Sequence, residues 1–298
     1  MSRVHDALRR AEQTGAPQVA SQTAQPAPPS GAGKPAAPAV HALALDDVQE
    51  VTFSPAHEAL LIDASRPQDS PSEEFRSLRT RLNHLQSLQP IHTVVVTSPS
   101  PAEGKSFSAA NLALAESQMK GNLTLLCDFD FRRPALHNLF QIERSPGATD
   151  YLLGQAPLAA CLKKVEGTGL YLMPAGSAVK NPLELLNLKE AKSLLLDLPK
   201  TFNWVILDSP PLLFSADANL LGTMTDGTIL VIRIGSTTID TVHRAMQSLC
   251  ENNVLGVVVN GARAGELYSK YTYYYSKYGY GERESEPEEP LPPEQENP

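Results

Sequence analysis

The residues best able to do chemistry lie at the ends of apolar runs. Glu103-Gly-Lys-Ser106 stands between the β-branched run Thr93–Thr97 and a helix-forming stretch that continues from Lys105 to about Lys120. In a strand, loop and helix of this kind, backbone N–H groups and the helix N-terminus hold phosphate oxygens. Lys105 would reach the terminal phosphates and Ser106 would ligate Mg²⁺. Asp128 and Asp130 close a second apolar run, Leu123–Asp128. Carboxylates two residues apart at a strand end point the same way, here toward the crevice where open α/β sheets bind ligands. One can hold Mg²⁺ while the other accepts a proton, although a solvated loop paired with Arg132 and Arg133 would show the same residues. Asp208 ends a third run, Trp204–Asp208, and precedes Ser-Pro-Pro. This is the position of a Mg²⁺-directed carboxylate in P-loop enzymes.

A possible acceptor follows in the same chain. Seven of the nine tyrosines, Tyr268, Tyr271, Tyr273, Tyr274, Tyr275, Tyr278 and Tyr280, fall within one short stretch. Their spacing places them on every face of a helix or a strand, so no buried element explains them. An exposed string of phenols is expected there. With the phosphate loop, it implies an enzyme that carries its own phosphoacceptor. Tyr151 and Tyr171 lie apart from this cluster and are expected to pack within the fold.

The elements that position these groups alternate in type. A helix is expected over Glu73–Gln89, with Phe75, Leu78, Leu82 and Leu85 on one side, and another over Thr238–Asn252. Strands are expected at Thr93–Thr97, Leu123–Asp128, Leu170–Met173, Trp204–Asp208, Thr228–Ile234 and Val254–Asn260. Strands separated by helices imply a mainly parallel sheet covered on both faces, and continuous apolar runs such as Val94-Val-Val96 fit burial on two sides. The fold class is therefore α/β, of the P-loop NTPase type.

Domain organisation follows from composition. Residues 1–13 have helical spacing at Val4, Ala7, Leu8 and Ala11, with Ser2 available as an N-cap. Residues 14–68 are largely Pro/Ala-rich and are expected to be a mostly disordered linker. The P-loop core is expected at 69–264, the tyrosine cluster at 265–280 and an acidic disordered tail at 281–298. That tail has seven glutamates against one arginine and so holds most of the formal net charge of −8. The nearly neutral body argues against nucleic acid as a ligand. Three separated cysteines, Cys127, Cys161 and Cys250, form no CxxC and suggest a reducing compartment. No apolar run approaches the roughly 20 residues that cross a bilayer, and the N-terminus lacks a signal-peptide pattern. A cytoplasmic protein is expected.

Taken in order, these motifs resemble the bacterial tyrosine kinases of capsular and exopolysaccharide synthesis. The resemblance covers roughly Glu73 to Tyr280: a Glu-x-x-Arg-x-x-Arg helix, a Walker A loop, an Asp-x-Asp-x-Arg-x-Pro segment, a Walker B aspartate with Ser-Pro-Pro, and a tyrosine-rich end. Gly147-Ala-Thr-Asp-Tyr-Leu-Leu-Gly154, Asn181-Pro-Leu-Glu-Leu-Leu186 and Val257-Val-Val-Asn-Gly261 are also similar. The resemblance implies an ATP-dependent tyrosine autokinase. Ala102, Glu103, Gly104, Lys105, Ser106 and Phe107 would hold ATP, Ser106, Asp130 and Asp208 would position Mg²⁺, and Asp128 would take the tyrosine proton. Asn260 would contact adenine or be a satisfied loop residue. Glu73, Arg76 and Arg79 would build a homo-oligomeric ring, unless they are an ordinary solvated helix face. The implied partner is a separate membrane-anchored polysaccharide co-polymerase whose cytoplasmic tail activates the kinase and recruits it to the inner face of the membrane.

One departure and two other readings bear on this. Ala102 stands where the family has glycine; if φ is positive there, alanine costs on the order of 1 kcal/mol. An ATPase switch of the ParA/MinD type would share the fold, but its signature lysine position is Ser100 and the tyrosines would be unexplained. A nucleotide-binding scaffold with weak catalysis is favoured only by Ala102.

Overall fold

Alternate residues of the central strands feed two different cores, which explains why the strands read as unbroken apolar runs. The computed structural model describes residues 45–53, 59–63, 71–249 and 254–262. Its strands are β1 (Gln49–Val51), β2 (Thr93–Thr97), β3 (Thr124–Asp128), β4 (Lys163–Val165), β5 (Leu170–Met173), β6 (Trp204–Asp208), β7 (Gly227–Arg233) and β8 (Val254–Asn260). They form one sheet in the order β1-β4-β5-β3-β6-β2-β7-β8. Every pairing is parallel except β4 with β5.

Val95, Leu125, Cys127, Val205 and Leu207 face one core, while Val94, Val96, Leu126, Trp204 and Ile206 face the other. The second core is roofed by α1 (Ser72–Leu88) and α2 (Lys105–Ser117). Small residues at Ala109, Ala110, Ala113 and Ala115 let α2 lie close on the sheet, and each is fully buried. On α1, Phe75 and Leu82 are buried in that same core. α3 (Leu136–Leu139) packs in the second core, and the first receives side chains of α4 (Ala148–Leu152), α5 (Pro182–Leu186) and α6 (Lys189–Asp197) and their connections. Among these, Leu152, Leu185, Leu186, Ala191, Leu194 and Leu195 supply the first core, whereas Leu136 of α3 belongs to the second. A smaller cluster joins α7 (Ala216–Thr223) and α8 (Ile239–Ser248) to β7 through Ala218, Leu230 and Ala245.

The doubly covered, mainly parallel sheet agrees with the sequence. Two edge features differ. The fold starts before Asp69: β1 pairs with β4, and Leu61 and Ile62 pack in the second core. β4 adds an antiparallel pair beside β5. The expected helix at Lys105–Lys120 ends at Ser117, and that at Thr238–Asn252 runs to Ser248. Tyr171 is buried and Tyr151 half-buried, both within the fold. The N-terminal helix, most of the linker, the tyrosines from Tyr268 to Tyr280 and the acidic tail lie outside the described residues. No helix among the described residues is long and apolar enough to cross a membrane.

Candidate active site

The sheet brings the predicted carboxylates together by register alone. Asp128 at the end of β3 is the direct partner of Asp208 at the end of β6, and Val96 of β2 partners Asp208 on its other side. The phosphate loop leaves β2 immediately beyond, so Lys105 meets both acidic strand ends. Its Nζ lies 2.9 Å from Asp130 Oδ2 and 3.6 Å from Asp208 Oδ1. Burial works against the lysine's charge, but Asp208 and Asp130 outweigh it and hold its pKa above the ordinary lysine range. Lys105 Nζ also donates to Ser106 Oγ at 3.1 Å.

The three aspartates have different surroundings. Asp128 is fully buried and accepts backbone N–H groups from Asp130 at 3.2 Å, Ala135 at 2.9 Å and Leu136 at 3.0 Å. Burial and neighbouring Asp208 nevertheless push its pKa up to about 7. Asp130 also accepts the Arg133 N–H at 3.0 Å. Asp208 is fully buried, and neither carboxylate oxygen accepts a hydrogen bond. Burial raises its pKa to about 6, with Lys105 and the nearby Ser106 hydroxyl pulling the other way. A buried carboxylate whose oxygens accept no hydrogen bond is costly even with a lysine 3.6 Å away. Placed beside a hydroxyl and a second carboxylate, its two free oxygens suit a hard divalent cation. Among the described residues no group of three or more His, Cys, Asp or Glu is placed to hold a metal ion by itself.

The phosphate loop has a distinct backbone. Ala102 adopts φ +63° and Gly104 φ +98°. A Cβ added to Gly104 would lie 2.0 Å from Asn260 Nδ2, so glycine is needed there for both conformation and space. Asn260 Nδ2 donates to the Glu103 carbonyl at 2.9 Å and its Oδ1 accepts from Gly261 N at 2.8 Å. Asn260 therefore braces the loop. Phe107 turns its ring toward Phe75, with centroids 6.0 Å apart, which leaves its backbone as the part able to meet a ligand.

Other expected residues are placed elsewhere. Arg132 pairs with Asp217 of α7, at 2.8 and 3.3 Å, and not with the two aspartates that precede it. Glu73 and Arg76 form an exposed pair 3.5 Å apart. Arg79 is turned inward and donates to Ala115 O at 2.8 Å, at the far end of α2. Sequence reading missed Asp217, Glu116 and Thr237. None lies in a motif, and each acquires its role through a partner distant in sequence.

Comparison with known proteins gives a consistent result. No family model matches the chain. Tyrosine-protein kinase YwqD of Bacillus subtilis strain 168 is 34% identical over 219 residues, covering 73% of this chain and 92% of that protein. Tyrosine-protein kinase Wzc of Salmonella typhimurium strain LT2 is 31% identical over 224 residues, but the chain spans only 31% of its length. The solved kinase domain of Escherichia coli tyrosine kinase ETK superposes with a TM-score of 0.63 at 30% identity, covering 68% of this chain and 81% of that one. With its strand-end aspartates gathered around the phosphate-loop lysine, the chain belongs to the bacterial tyrosine-protein kinase family.

Proposed function

We propose that this protein is an ATP-dependent protein-tyrosine autokinase that phosphorylates the tyrosines between Tyr268 and Tyr280 of a neighbouring copy. The observation that carries this reading is the convergence of Asp130 and Asp208 on Lys105 at the mouth of the phosphate loop. The loop backbone from Ala102 to Phe107 and Lys105 hold the ATP phosphates. Ser106, Asp130 and Asp208 hold Mg²⁺, which neutralises charge on the phosphate oxygens when bound. Asp128 accepts the proton of the incoming phenol, using the lone pairs that its backbone donors leave free. A phenol of pKa near 10 is mostly protonated at neutral pH, so a positioned acceptor promotes attack. The phenol oxygen forms a bond to the γ-phosphorus, the bond from that phosphorus to the bridging oxygen breaks, and ADP leaves.

In this reading the kinase is a cytoplasmic homo-oligomer, assembled through the exposed Glu73 and Arg76. A membrane-anchored polysaccharide co-polymerase activates it, and its cycle governs polymer synthesis and export. Seven phosphotyrosines at about −1.5 to −2 charges each would add more than ten negative charges to an already acidic end. Repulsion would release the assembly. Anti-phosphotyrosine detection on the wild type, Lys105→Met and a chain cut after Ala264 tests the reading. Signal on the wild type alone supports it. ATP hydrolysis without phosphotyrosine would replace it with a nucleotide switch.

A further inference from the structure

The phosphate loop is held from outside by a residue with no part in any motif. Glu103 is 2% exposed, and its side chain forms a clasp with Ser100 and Thr237. Its Oε2 accepts the Ser100 N–H at 2.9 Å, closing the turn that contains Ala102. Its Oε1 accepts the Thr237 hydroxyl at 2.6 Å. Thr237 belongs to the connection between β7 and α8, and its oxygen in turn accepts the Arg233 N–H at 2.9 Å. The end of β8 joins the same structure, because Asn260 bonds the Glu103 carbonyl and accepts Ile234 N–H through its own carbonyl at 2.9 Å.

Ala102, exposed in the turn that this clasp closes, is one of three non-glycine residues with positive φ among the described residues. A residue with a Cβ pays about 1–2 kcal/mol for that conformation, and such strain persists only where the surroundings over-determine it. If Ala102 relaxed to negative φ, the following peptide units would rotate and the N–H groups at Glu103 and Gly104 would no longer point together. A charge-assisted bond from a hydroxyl to a buried carboxylate is among the stronger protein hydrogen bonds. It is therefore a suitable counterweight to the strain.

We propose that Thr237 is a positioning residue for nucleotide: by holding Glu103 from the β7–α8 connection, it keeps Ala102 left-handed and the loop's backbone donors aligned for phosphate. This rests on the reading that the loop binds ATP. The clasp also gives the alanine at this left-handed position the restraint that a glycine there would make unnecessary.

The test is binding of a fluorescent ATP analogue with Mg²⁺ to the full-length chain, with KM and kcat for autophosphorylation measured alongside. Thr237→Val should weaken binding and raise KM for ATP about tenfold, close to the 1.4 kcal/mol of one lost bond, with a smaller change in kcat. Thr237→Ser keeps the hydroxyl and should bind like wild type. In an Ala102→Gly background the same Val substitution should lose less than about threefold, because the clasp then restrains no strained residue. Unchanged binding by Thr237→Val, loss by Thr237→Ser as large as by Val, or an undiminished loss in the glycine background would each overturn the proposal. If Thr237→Val does not fold, Thr237→Ala removes the same hydroxyl with less bulk and decides on the same terms: weakened binding with KM raised more than kcat falls is expected, and wild-type binding overturns the proposal. Failure of the wild type itself to bind the analogue would instead refute the nucleotide reading.

Discussion

Asp128 and Asp208 are direct register partners at the C-terminal ends of β3 and β6, and both are fully buried. Burial and then the neighbouring Asp208 raise the pKa of Asp128, while burial and to a lesser extent Asp130 raise that of Asp208 against the pull of Lys105. The pair is expensive for stability. Lys105 offsets part of that expense from the adjoining loop, and a bound cation would offset more.

Asp208→Asn tests whether the free carboxylate oxygens serve activity at the expense of stability. Removing a buried charge that accepts no hydrogen bond, while Lys105 keeps its shorter contact to Asp130, should leave the nucleotide-free protein at least as heat-stable as wild type. Loss of a metal-directed oxygen should cut autophosphorylation by about a hundredfold or more. A lower melting temperature with retained activity would show that the carboxylate serves only the fold.

Lys105→Met should act in both respects. It leaves Asp130 and Asp208 without their shared cation, and breaking a buried pair in this way costs about 3 kcal/mol. Denaturant unfolding at pH 8 without nucleotide measures that loss. Phosphotyrosine formation on the variant alone should vanish. A variant as stable as wild type would contradict the pairing at 2.9 and 3.6 Å.

Glu116 gives a pH prediction far from the phosphate loop. It is buried at the end of α2, where Asn83 Nδ2 donates to its oxygens at 3.0 and 3.3 Å. Burial pushes its pKa up to about 7, with Asn83 and Arg79 opposing. The folded state therefore binds this proton more tightly than the unfolded chain, so stability falls as pH rises from the ordinary glutamate range through about 7. Glu116→Gln should remove that slope and stabilise the protein at pH 8, by at most about 3 kcal/mol given roughly 1.4 kcal/mol per pKa unit. Parallel pH profiles for the two proteins would contradict it.

The central strands and the site carboxylates were legible in the sequence for one reason. β2, β3, β5 and β6 are buried on both faces, so each reads as a continuous apolar run, and in β3 and β6 the run ends visibly at the first charge, Asp128 and Asp208. β1 and β4 were not legible. Each is three residues long at or near the sheet edge, with lysine or glutamate within the strand, and neither shows periodicity. The motif raised a positive φ at Ala102 only as a condition, which the loop meets at +63°. Its restraint by Thr237, 134 residues from Glu103, depends on tertiary proximity that no local pattern encodes. Arg79 was expected on the oligomerising stripe, and spacing alone gave no sign that its side chain turns to Ala115.

The most direct measurement mixes two incomplete chains with ATP and Mg²⁺: one cut after Ala264, which keeps the site but lacks the tyrosine cluster, and full-length Lys105→Met, which keeps the cluster but lacks the lysine. Mass spectrometry should then find phosphate on tyrosines between Tyr268 and Tyr280 of the Lys105→Met chain, and none when either protein is incubated alone. No phosphotyrosine in the mixture, with wild type still phosphorylating itself, would contradict transfer between copies. No phosphotyrosine on wild type either would contradict the kinase assignment itself.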